Sequence, residues 1–132
     1  MTSREFLSRP FELNRELRIK TRQLESVNNI IHGTSITLSS IPCSHDAHRL
    51  ESLMAKALDL ETEIDKITVE FTQAVKEVSN AINAINNQTC EEVLILRYLG
   101  FRDWTTIARD LNYSKDWLYR LHRKGLDLVR VF

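Results

Sequence analysis

The side chains best suited to chemistry lie close together near the end of the chain: Lys115, Asp116, Tyr119, Arg120, Arg123 and Lys124. On a helix, Leu118 and Leu121 share one face, which turns Lys115, Asp116, Tyr119, Arg120 and Arg123 to the other, with Lys124 flanking them. Guanidinium and ammonium groups offer donors that suit O6 and N7 of guanine, and a carboxylate accepts from N4 of cytosine. Such a face could grip a polyanion and read hydrogen-bonding edges. A basic face on a last helix is also often a solvated surface, so the elements around it must decide between the two.

A second group, Cys43, His45, Asp46 and His48, has the residue types of a metal site. Its spacing, C-x-H-x-x-H, fits none of the usual structural zinc patterns, and Asp46 reads better as the N-cap of the next helix. No metal and no cofactor are expected. Catalysis has little to stand on, because there is no phosphate-cradling glycine loop, no G-x-S-x-G and no H-E-x-x-H, so no enzyme is expected.

Helices must position these residues. Only three glycines and two prolines interrupt 132 residues rich in Leu, Ile, Glu, Lys and Arg, which is the composition of an all-α chain. Formal charge balances at zero, but unevenly: basic residues exceed acidic ones by six to four in 1–43 and by eight to six in 89–132, and acidic exceed basic by eight to four in 44–88. A basic end joined to an acidic middle suits a protein that offers one end to a polyanion. Cys43 and Cys90 form no C-x-x-C pair and suggest a reducing compartment. The chain opens without an apolar signal region and has no charge-free apolar run of about 18 residues, so a cytoplasmic protein with no membrane partner is expected.

Phe6, Leu13, Leu17, Leu24, Val27 and Ile31 follow a heptad seam in which Pro10 and Lys20 fill the missing positions. Proline's lost donor predicts that this helix starts near Pro10, capped by Ser8 or a neighbour, and spans about 10–31. Lys20 snorkels or marks register. Residues 32–44, with Gly33, Pro42 and several Ser and Thr, read as a loop. A second seam, Leu50, Leu53, Ala57, Leu60, Ile64, Ile67, Phe71, Ala74, Val78, Ala81 and Ile85, predicts a helix over 47–86 of about 60 Å, twice the length of the first. The two form a coiled-coil-like helical hairpin over 1–88. The far end of the second helix then needs a cover, from the C-terminal domain or a second chain, which favours a homodimer through the hairpin.

Three short helices follow in 89–132. Thr89-Cys90-Glu91-Glu92 reads as a capping box, and Gly100 as a left-handed residue closing that helix. Asp103 caps a helix carrying Trp104, Ile107, Ala108 and Leu111; after the Asn112-Tyr113 turn, Ser114 caps a last helix from Lys115 toward Arg130. Trp104 is expected in the core and Trp117 against the first of the three helices. This is the size and layout of a tri-helical helix-turn-helix domain, in which the last helix enters the major groove. Arg102 and Thr105, near the start of the preceding helix, are then candidates for phosphate contact.

Glu91-Glu92-Val93-Leu94-Ile95-Leu96-Arg97-Tyr98-Leu99-Gly100, Ile107-Ala108, Leu111-Asn112-Tyr113-Ser114, and then Leu118, Leu121, Leu126 and Val129, resemble region 4 of bacterial sigma factors. A helical hairpin followed by such a module is also similar to small phage-encoded late-gene activators of the RinA and ArpU type. The resemblance implies base reading by Lys115, Asp116, Tyr119 and Arg120. Asn112 stands where the pattern has Gly, tolerable because Asn visits the left-handed region. Gly125 stands where it has Ala, costing up to about 1 kcal/mol of helix stability. Nothing resembles the promoter-melting region 2.

The expectation is a transcriptional regulator of phage or prophage genes that binds double-stranded DNA and uses its hairpin to dimerise or to contact RNA polymerase. Two other readings stand beside it: an interaction protein that binds polymerase or a sigma competitor without reading DNA, and a DNA-packaging recognition subunit.

Overall fold

A computed structural model describes residues 1–38 and 44–131, and the side chains of all of these except 34–38 and 44–46. Every regular element among the described residues is helical: α1 (Ser3–Leu38), α2 (Ser44–Asn83), α3 (Gln88–Leu94) continued by a π-helical turn (Ile95–Leu99), α4 (Trp104–Leu111) and α5 (Lys115–Leu128). None of these helices is long and apolar enough to cross a membrane.

The first helix starts earlier than its proline predicts. Thr2 and Glu5 form a capping box: the Thr2 hydroxyl accepts from the Glu5 amide at 3.1 Å, and the Glu5 carboxylate accepts from the Thr2 amide at 3.3 Å. Pro10 therefore lies inside the helix, buried, and supplies no amide for a carbonyl one turn back. The early turn brings in Phe6 and Leu7, which are 8% and 0% exposed. Burying two such side chains contributes about 3–6 kcal/mol, enough to offset a proline cost of about 3 kcal/mol.

At its other end α1 runs to Leu38, through most of the stretch expected as a loop, and α2 begins at Ser44 and stops at Asn83. Continuing a helix adds a hydrogen bond per residue, and Ser or Thr costs only about half a kcal/mol each, too little to halt one already formed. With 36 and 40 residues the two helices nearly match in length, correcting the expected two-to-one ratio. The metal reading lies outside the described residues, since Cys43 and the side chains of His45 and Asp46 are not among them; Asp46 itself falls inside α2, two residues after its first, and so is not the N-cap expected.

Contacts divide the chain into two compact units, one of Arg15–Val69 and one of Met1–Asn14 with Glu70–Phe132. Within Arg15–Val69, α1 and α2 pack through Val27, Ala57 and Leu60, with Leu24, Ile31 and Leu53 beside them. Lys20 sits in this seam as expected and meets Glu63, its Nζ 2.9 Å from a carboxylate oxygen. Both groups are partly exposed, so the pair contributes at most about 1 kcal/mol.

The other unit has two apolar clusters. In one, Phe6 and Leu7 of α1 and Val78 and Ile82 of α2 meet Leu94, Tyr98 and Val129. The end of α2 is thereby covered from within the chain, by the C-terminal helices and the start of α1. Ile82, fully buried, stands one residue off the heptad seam read from sequence. The second cluster joins α3, α4 and α5 through Cys90, Val93, Ile107, Leu118 and Leu121. On the flank, Arg9 donates to Glu77 at 2.7 Å, and Gln73 donates to the same carboxylate at 3.0 Å.

Candidate nucleic-acid interface

Local caps determine how α5 is presented. The Asp103 carboxylate accepts from the Thr106 amide at 2.7 Å and starts α4, and hydrogen bonds from the Thr106 side chain and amide hold the Asp103 pKa below the usual carboxylate range. Asn112 ends α4 in the left-handed conformation at φ 58° and ψ 43°. The chain then reverses within two residues, and the Ser114 hydroxyl accepts from the Trp117 amide at 3.2 Å to start α5. All three residues play the parts expected of them.

The preceding helix departs from expectation at both ends. Asn86 takes a left-handed φ of 56°, and the Asn87 side chain, not Thr89, caps α3 by accepting from the Cys90 amide at 3.2 Å. Starting two residues earlier buries Cys90 fully in the second cluster. At the far end the left-handed residue is Phe101, also at φ 56°, whereas Gly100 has φ −84°. Gly100 is needed for a different reason: the π-helical turn brings the Leu96 carbonyl oxygen to 2.8 Å from where a Cβ would stand. Phe101 is turned toward Phe11 of α1, ring edge to face at 5.7 Å.

Along α5, Leu118 and Leu121 point inward, at 0% and 6% exposure, and Lys115, Asp116, Tyr119, Arg120, Arg123 and Lys124 all lie on the exposed side. No carboxylate among the described residues comes within ion-pair distance of Lys115, Arg120, Arg123 or Lys124. Between Lys115 and Lys124 the face thus offers four cations with no ion pair among the described residues, one carboxylate and a phenol. Trp117, expected against α3, is 47% exposed and adds an aromatic ring beside this face. Of the two residues ahead of α5, Thr105 is exposed at the start of α4. Arg102 is already engaged, donating to Asp110 at 2.6 Å, so its guanidinium is less free for phosphate than a bare arginine.

Beside this face is a cluster to which the sequence assigned no role. His122 is only 6% exposed, and its Nε2 lies 2.6 Å from the Tyr98 hydroxyl. Burial, and then the nearby Arg4 and Arg97 guanidinium groups, lower the His122 pKa to about 4. Burial raises the Tyr98 pKa, while Arg4 stands beside the hydroxyl and opposes that rise. Both rings are therefore neutral near pH 7. Trp104 is half-buried rather than a full core residue: it meets His122 at 4.7 Å and Tyr119 at 5.4 Å edge to face, and the Arg97 guanidinium covers its ring at 4.6 Å. His122 and Gly125 continue the inward row of Leu118 and Leu121, a spacing that could have marked the histidine as buried. Arg4, from the other end of the chain, had no such signal.

Searched against known protein families, curated proteins and solved structures, the chain matches none of them.

Proposed function

We propose that this chain is a sequence-specific DNA-binding transcriptional regulator, of phage or prophage genes, that reads the major groove of duplex DNA with α5. In this reading α4 and α5 are the two arms of a helix-turn-helix, and Lys115, Asp116, Tyr119 and Arg120 face base edges. Arg123, Lys124, Thr105 and, once released from Asp110, Arg102 contact phosphates. The observation that carries it is the two-sided character of α5, whose leucines are buried while four cations with no ion pair among the described residues stand on its exposed side.

The unit Arg15–Val69 would contact a second copy of the chain or RNA polymerase. Ile19, Ile30, Met54, Leu58 and Val69 are exposed there, Val69 by 70%, more apolar surface than a helix pair needs if nothing ever covers it. The phage assignment rests on the resemblance to sigma region 4 and late-gene activators.

Titration of a promoter-sized duplex at several salt concentrations tests the reading. Affinity should be strongest at low salt and fall with a log–log slope of about −0.9 for each phosphate neutralised. Absence of binding at low salt, or binding indifferent to salt, removes DNA recognition. The exposed apolar residues of Arg15–Val69 favour a second reading, an interaction protein for polymerase, which predicts polymerase capture with no duplex binding.

A further inference from the structure

We propose that the pocket framed by Arg4, Arg97 and Arg123 is a binding site for a phosphate group, adjoining the exposed face of α5. The pocket encloses about 450 Å³ and is walled by Trp104, Tyr119 and His122. Its three guanidinium groups come from three elements, α1, the π-helical turn and α5, and no carboxylate lines it. None of the three forms an ion pair among the described residues. The Arg97 fork is partly fixed, donating to the Arg102 carbonyl at 3.1 Å while it lies over Trp104.

Three like charges around one concavity repel one another, and two of them, Arg4 and Arg97, also oppose protonation of His122. An anion would relieve both. Among anions, phosphate matches the guanidinium fork in geometry and can accept from two or three arginines at once. The aromatic walls displace water from one side of the pocket, which strengthens each charge-assisted bond. Tyr119 and Arg123 belong both to this pocket and to the exposed face of α5, so a backbone phosphate of a bound duplex is the source the arrangement favours; that part rests on the DNA-binding reading, whereas the site itself does not. A free phosphate is the other source.

Two titrations on the full chain separate them, both followed by NMR of the His122 ring protons and the Trp104 indole N–H. In the first, inorganic phosphate is added at constant ionic strength kept with chloride. A saturable shift of both signals, lost in Arg4→Gln and in Arg123→Gln, supports the site; signals that move no more than with chloride overturn it. Two variants are used because Arg4 also touches the Tyr98 contact, and each is checked for unchanged helicity. In the second titration, a duplex that moves the same signals, and whose salt slope drops by about one unit in Arg4→Gln with base preference intact, identifies the DNA backbone as the source. A duplex that binds through Arg120 without moving His122 or Trp104 refutes that source and leaves the DNA-binding reading standing. Saturable phosphate binding without any duplex binding supports the site and refutes the DNA-binding reading.

Discussion

The hydroxyl of Tyr98 stands 2.6 Å from Nε2 of His122, and this contact joins the end of the π-helical turn to the inner face of α5. Neutral His122 can accept from the phenol or donate to it; a protonated ring could only donate, and its charge would stand, largely buried, beside the Arg4 and Arg97 guanidinium groups.

Stability should therefore fall on mild acidification. The His122 pKa is 6.5 when unperturbed and about 4 in the folded chain, so the unfolded chain takes up its proton first. The contribution of neutral His122 is complete above about pH 6.5, declines as pH falls to about 4, and amounts to about 3 kcal/mol over that window. Urea unfolding at intervals of pH checks this, with His122→Phe expected to flatten the curve between those values. Asp103 and Glu77, whose pKa values are lowered by hydrogen bonds, lose their smaller contributions only at lower pH.

Gly125→Ala should destabilise the chain, although alanine favours helix by about 1 kcal/mol. A Cβ at this position would stand 3.0 Å from Cδ1 and 3.2 Å from Cγ of Leu94, which is itself fully buried. Overpacking of this kind costs about 1–3 kcal/mol, so a net loss of about 1 kcal/mol is expected in thermal unfolding. A higher melting temperature would mean that Leu94 moves aside.

Asn87→Ala should cost about 1 kcal/mol, since it removes the oxygen that accepts from the Cys90 amide. Thr89→Ala, inside the helix, should be neutral or stabilise by up to about 0.5 kcal/mol, since alanine is the better helix former. Denaturant midpoints of the two variants decide which residue caps α3, and a larger loss at Thr89 would contradict the observed geometry.

On α5, Arg120→Ala should relax preference at one base pair by about 1–3 kcal/mol. Lys124→Ala should weaken all sequences about equally and lower the salt slope by about one. Competition binding with a panel of single-base variants distinguishes the two effects. Equal losses on every sequence for both variants would reduce α5 to a phosphate-binding surface.

Much of the C-terminal region was legible because its determinants are neighbours in sequence. Asp103, Asn112 and Ser114 act on amides or turns within three residues of themselves, and Leu118 and Leu121 needed only the helical period to be placed inside. The end caps of α3 were read wrongly where two local solutions compete. Thr89 with Glu92 is as good a capping box as Asn87 is a cap, and the burial of Cys90 and Val93 favours the earlier start. Gly100 and Phe101 exchanged roles for a similar reason: the close Leu96 carbonyl demands a glycine, and the contact with Phe11 helps a phenylalanine hold a left-handed φ.

Periodicity and local capping, which act over a turn or two, sufficed to determine an all-helical chain, the seams of its two long helices and the outward set of polar side chains on α5. Tertiary structure alone decided that α1 continues through Pro10, because the compensation comes from Phe6 and Leu7 packing on Val78, Leu94 and Val129, far along the chain. It alone decided that Arg4 joins Arg97 and Arg123 around one pocket beside His122. Burial and charge depend on distance in space, and no pattern of spacing along a sequence encodes which distant residues will share a pocket.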